Sequence, residues 1–197
     1  MKLNATRDLY RIWTALRGAR PAPDRVEIDP AQLVSVLPYV FMLETLNDSR
    51  NQIRLAGTHI CAAFGAELRG RSFQALWRPE DHQLITDLIE TISTEAAAVV
   101  IGASEEADDP FQPTAELLLL PVRTMRQGVN GILGSCVVRA SNGVLHKHVR
   151  RLTLETQRVS WPSGRRPIGQ LPLAQPPLVH VGARREGRFF VYDGGRN

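Results

Sequence analysis

Cysteine is nearly missing from this chain: Cys61 and Cys136 are the only two in 197 residues. Two thiols cannot build the disulfide framework of a small secreted scaffold, and they suit a reducing cytoplasm. No apolar run approaches the roughly 20 residues a membrane span needs, and the opening MKLNATRDLYRIW has no apolar signal-peptide core. A cytoplasmic location is therefore expected. Chemical motifs are equally scarce, with no Gly-x-Ser-x-Gly elbow, P-loop, Rossmann glycine fingerprint, CxxC or HExxH. His59-x-Cys61 places its two side chains on different faces of a helix, and His146-x-His148 has no further ligands nearby, so no metal site is read. Glu67, Glu80, Asp81 and Glu116 each have a plainer role as a cap or surface charge. The sequence offers no enzyme mechanism and specifies no cofactor.

What is present divides in two. Residues 1–140 hold 14 Arg or Lys against 17 Asp or Glu, a net −3, whereas residues 141–197 hold 10 against 3, a net +7. Only Lys2 and Lys147 are lysines, so nearly all the positive charge is arginine. The second part also carries Pro162, Pro167, Pro172, Pro176 and Pro177, which makes 160–177 an extended linker. Segments 178–181 and 188–192 read as a short hairpin that needs a surface to dock on. Between sheet and linker, a helix over 144–159 is read from a thin stripe of Leu145, Val149, Leu152 and Val159. The organisation is an N-terminal amphipathic helix with its connector (1–30), a folded domain (31–140) and a basic, Pro-rich extension (141–197).

Within the first part the hydrophobic period switches several times. Leu9, Ile12, Trp13 and Leu16 form one helical stripe. Strands follow over 39–46 and 52–56, joined by the turn Asn47-Asp48-Ser49. Gly57 ends the second strand, and Thr58 opens a short helix with Ile60, Ala63 and Phe64 on one face. Gly65 and Gly70 then punctuate the chain before Phe73, Leu76 and Trp77. The longest internal helix carries Leu84, Ile85, Leu88, Ile89 and Ile92. Three more strands lie over 97–103, 114–126 and 129–140, the middle one with a proline suited to an edge or bulge. Two strands, several helices and three strands make an antiparallel sheet with helices on one face, an α+β domain.

The ordered run Leu55-Ala56-Gly57-Thr58, a short helix, Phe64-Gly65-x-Glu67-Leu68-x-Gly70 and Phe73-x-x-Leu76-Trp77 resembles the PAS domains found as single modules in many alphaproteobacterial proteins, the group called PAS_5. Upstream, Trp13, Leu16, Arg17, Gly18, Pro21, Arg25, Asp29 and Pro30 match the signature of the same group. The resemblance covers roughly residues 7–140 and rests on the combination, since no single motif in it is specific. It implies a five-stranded PAS-like sheet with helices across one face, and a sensory or regulatory module that binds a small ligand or a protein partner and signals by protein–protein interaction.

Under that resemblance the pocket walls are Phe41 and Leu43, Ile60, Phe64 and Trp77, Leu84 and Leu88, and Leu118 and Leu120. His59, Trp77 and His82 are the polar contacts to a bound molecule. Filling of the core is the plain alternative for each of these residues. Some PAS domains carry haem on a histidine of the long helix, where His82 stands, although a polar residue just after the helix cap is the simpler account. The light-sensing Asn-Cys-Arg-Phe-Leu-Gln motif is missing, so Cys61 reads as a small buried residue. PAS domains commonly dimerise through flanking helices, which makes Leu9, Ile12, Trp13 and Leu16 the expected interface of a homodimer; the same stripe also suits a helix lying on its own domain. A different reading makes the chain a nucleic-acid or membrane-surface adaptor acting through its Arg-rich tail, although no base-reading motif or strong amphipathic helix accompanies those arginines.

Overall fold

The computed structural model describes residues 1–45, 51–105, 112–124, 130–140 and 148–161. Six strands form one sheet: β1 (Val40–Thr45), β2 (Asn51–Ala56), β3 (Ala98–Glu105), β4 (Thr114–Arg123), β5 (Asn130–Arg139) and β6 (Leu152–Ser160). Their order is β2-β1-β5-β4-β3-β6 and every neighbouring pair is antiparallel. The helices are α1 (Asn4–Arg17), α2 (Thr58–Phe64) and α3 (His82–Glu95), with short 3-10 turns such as Phe73–Leu76 and Pro79–Asp81 between them.

The fold class is α+β and PAS-like, as the sequence implies, but the sheet has six strands rather than five. The sixth comes from the stretch read as a helix over 144–159. Thr153, Thr156 and Val159 are β-branched and favour extended backbone, and β3 would otherwise leave a long edge without a partner. Pairing from Ala98↔Ser160 to Glu105↔Leu152 satisfies that edge. The linker and hairpin read beyond Trp161 lie outside the described residues.

Both faces of the sheet are buried. Strand β4, TAELLLLPVR, shows why: Leu117 and Leu119 join an apolar cluster with α2 and α3, while Leu118, Leu120 and Val122 join a second cluster with α1. Alternation sends successive leucines to opposite faces, so four in a row mark a strand covered twice. On one face α3 lays down Ile85, Leu88, Ile89 and Ile92. On the other, α1 seats Leu9 and Trp13 against Leu118, Leu120 and Leu133.

Trp13 fixes that second layer. Its side chain is 0% exposed, and its indole N–H donates to the Pro121 carbonyl at 2.9 Å. The Arg17 guanidinium lies over the ring, 5.3 Å from its centroid. Pairing of β4 with β3 reaches only Val99↔Leu119, so Pro121 stands past the start of β3, where its missing N–H interrupts no ladder. At the other end of α1, the Glu116 carboxylate of β4 accepts the Lys2 and Leu3 backbone N–H groups at 2.7 and 3.1 Å. These are bonds that the start of a helix cannot make internally.

The expected interface stripe is therefore a core stripe. Leu9 and Trp13 are buried in their own domain and Ile12 packs beside them, so the first two have no surface to offer a partner while α1 is docked. Leu16 is half-buried and belongs to neither cluster.

Replacing Trp13 by Ala should cost about 3–5 kcal/mol, the range for a fully buried aromatic, read as a lower urea midpoint of the full chain. Trp13→Phe keeps most of the burial but leaves the Pro121 carbonyl unpaired, for about 1–3 kcal/mol. A loss below 1 kcal/mol in Trp13→Ala would contradict this role.

Candidate functional site

The space between the sheet and its α2/α3 cover is the place to look for a ligand. Phe41, Ile53, Leu117 and Cys136 on the strands face Ile60, Leu68, Phe73 and Leu76 on the cover, around a cavity of about 10 Å³. That is room for one water at most, against the several hundred cubic ångströms of a small-molecule pocket. The sequence forces the close fit at one point in particular. Gly134 of β5 lies opposite Phe41, and a Cβ there would collide with the Phe41 ring and the Leu118 carbonyl. Glycine lets the ring lie flat over the strand and stack on Phe73 at 5.5 Å. Phe73 in turn meets Trp77 edge-on at 6.0 Å.

Of the residues read as pocket walls, Phe41 and Ile60 line the cavity. Leu43, Trp77 and Leu88 are buried in the surrounding cluster, and Phe64 packs against it. Three residues are elsewhere. Leu118 and Leu120 belong to the α1 face, because the neighbours Leu117 and Leu119 take the cavity side. Leu84 is half-buried and outside the cluster; Ile85, one residue on, points inward, since the stripe of α3 is centred on Ile85, Leu88 and Ile92. Ile53, Leu68, Leu117 and Cys136 are cavity residues that sequence reasoning did not single out. For Leu117 the signal was the unbroken leucine run; for the others only the pairing of distant elements brings them in.

The polar contacts separate as well. His59 sits against Tyr39 at 4.6 Å, and its Nε2 accepts the Val138 N–H at 3.3 Å, so the ring is neutral with its proton on Nδ1. Burial holds its pKa below the ordinary histidine value. The His82 Nε2 lies 3.2 Å from the Trp77 carbonyl. His82 does not line the cavity, and about 10 Å³ has no room for a haem. Burial pushes the Cys136 thiol up to about 12, which makes it an inert apolar wall. Trp77 differs from all of these. It is 0% exposed, and its indole N–H has no hydrogen-bond acceptor among the described residues, a condition that costs about 1–3 kcal/mol.

The PAS domain family model PAS_5 matches residues 1–137, well over half of the chain. The chain belongs to the PAS domain family. PAS domains are sensory or regulatory modules, and the matched segment contains α1 as well as the sheet into β5, where it ends. Strand β6 lies beyond the match. No curated protein matches the chain. Among the described residues no three His, Cys, Asp or Glu side chains come together to hold a metal ion, and no helix is long and apolar enough to cross a membrane. Most of the Arg-rich tail, on which an adaptor role would depend, lies outside the described residues.

A second hollow, about 440 Å³, lies on the α1 side, with Leu3, Asp8, Tyr39 and Arg139 in its wall. It is open to solvent and does not enclose a molecule as a buried site does.

The His59 pKa gives a pH test. A folded-state value below the unfolded one means that acid charges the unfolded chain more readily, so stability is full above pH ~6.5 and falls as pH drops through the folded pKa. Urea midpoints should decline from pH 7 to 5, and His59→Gln should flatten that slope. An unchanged slope in the variant would contradict the assignment.

Proposed function

We infer that this PAS domain is a sensor for a small, largely apolar molecule carrying one hydrogen-bond acceptor. The molecule is held between α2, the Phe73–Leu76 turn and the sheet, and the change it causes is passed to a protein partner. The observation that carries this reading is Trp77: a buried donor without an acceptor among the described residues, in the same apolar cluster as the cavity walls and in ring contact with Phe73, which lines the cavity. An apolar core gains nothing from an unpaired N–H, whereas a ligand's carbonyl or ether oxygen would satisfy it. The cavity walls supply apolar contact and no competing charge.

Two free thiols, Cys61 and Cys136, support work in a reducing cytoplasm. Output is by binding to a protein partner, and a homodimer would use a surface other than the buried Leu9 and Trp13.

Native mass spectrometry of the freshly purified full chain tests the reading. The wild-type chain should carry a small-molecule adduct, and Trp77→Phe, which keeps the ring and removes the donor, should reduce its occupancy at least tenfold, about 1.4 kcal/mol. Equal occupancy in both proteins would contradict the role of Trp77, and an empty wild-type chain would contradict the sensor.

A further inference from the structure

Beyond the end of the family match, the chain comes back to the helical cover. The Val149 N–H donates to the Ala63 carbonyl at 2.8 Å, and the His148 Nδ1 lies 3.1 Å from the Ala62 carbonyl. Both carbonyls belong to the last turn of α2, where few donors of the helix remain: Ala62 also accepts the Gly65 N–H at 3.2 Å. The His148 imidazole fills the space over Gly65, so that a Cβ at that glycine would come within 2.5 Å of the ring. Further along, the Arg150 N–H donates to Glu105 Oε1 at 3.2 Å. The Leu152 carbonyl accepts the Arg78 N–H at 3.0 Å, and the Leu154 N–H donates to Asp81 Oδ2 at 2.9 Å. One short stretch thus ties together the end of α2, the joint that leads into α3 and the end of β3.

Its side chains reach inward at two points. Val149 and Leu152 are 2% and 1% exposed, and both belong to the cluster that contains Phe41, Ile60 and Phe73. Leu152 is also bridged to Trp77 along the backbone, so the stretch holds the main chain that carries the indole.

We propose that residues 148–154 are a strap that keeps the cover shut over the cavity, and that its release admits the small apolar molecule. The proposal rests on the sensor reading of that cavity and adds its regulation. A molecule of ordinary ligand size cannot enter about 10 Å³ unless the cover lifts. The cover is weak in itself: α2 has seven residues, fewer than a helix needs to persist alone. The strap grips it from the edge of the sheet, where its last three residues open β6, through the terminal carbonyls of α2 and two apolar anchors. Letting go there frees α2 and the Trp77 joint together while α1, on the far face, stays docked.

The test uses the full chain, hydrogen exchange and the dye 1-anilinonaphthalene-8-sulfonate as the probe. His148 is exposed, so His148→Ala folds; Val149→Ala removes a buried anchor, and Leu33→Ala on the α1 face serves as a control of general destabilisation. In both strap variants, amides of residues 58–64 should exchange at least tenfold faster with α1 and β5 unchanged, and dye affinity should rise at least tenfold; Leu33→Ala should do neither. Unchanged exchange at 58–64, or an equal rise across the whole sheet, would overturn the strap and leave the sensor reading standing. Faster local exchange with no gain in dye binding would overturn the sensor reading and, with it, the gate.

Discussion

A single indole hydrogen bond, from Trp13 to the carbonyl of Pro121, marks the constraint on which the rest of the molecule depends: the sheet is apolar on both faces and needs two covers. Leu118, Leu120, Val122 and Leu133 cannot face water, and α1 is the element that covers them. The contact is set where β4 outruns β3, so that Pro121 has a carbonyl to give and no N–H to waste. The connector after α1 follows the same free end, with the Arg123 N–H donating to the Pro23 carbonyl at 2.9 Å and the Arg123 guanidinium 3.4 Å from Asp24. Glu116 holds the start of the helix and Pro121 its later turns, both from β4.

That arrangement gives the two faces different mechanical characters. The back is a 14-residue helix keyed into the central strands, with Ala22, Leu33 and Val36 of the following connector beside it. The front is assembled from α2, short 3-10 turns and α3, joined by glycines and tied at their ends. Short helices draw their stability from packing rather than from their own hydrogen bonds, and local opening is expected where such pieces meet. A sensor needs a rigid frame and one yielding wall. In this PAS domain α1 supplies the frame's second cover, and the wall carries Phe73 and Trp77, with Phe73 stacked on Phe41 of β1. Strand β6 also closes the β3 edge, which would otherwise be open to pairing with other chains.

Much of this was legible in the residues. The stripe of Leu9, Ile12 and Trp13, the glycine-punctuated run around α2 and the apolar spacing of α3 locate their elements, and their order gives the sheet. The assignment of faces was not legible in the same way. Parity along ELLLLPV says that Leu117 and Leu118 part company, but identical side chains do not say which layer each meets; only the docking of α1 decides. The continuous leucine run is the mark of a strand buried twice, but its proline suggests an edge or bulge and the element order a sheet with helices on one face; β4 instead lies between β5 and β3 with both faces covered. Leu84 and Ile85 differ by one position on a helix whose rotation is set by tertiary packing. Strand β6 depends on pairing with β3 some fifty residues earlier, which no local period encodes, and its helix-like spacing is outweighed by that edge.

Hydrogen exchange of the unaltered chain separates the two covers. Amides of α1, β4 and β5 should exchange only through global unfolding, and those of α2 through a separate opening of lower free energy. Exchange of α1 faster than α2 would contradict the account, because it would make the Trp13 layer the yielding wall and the cavity cover the frame.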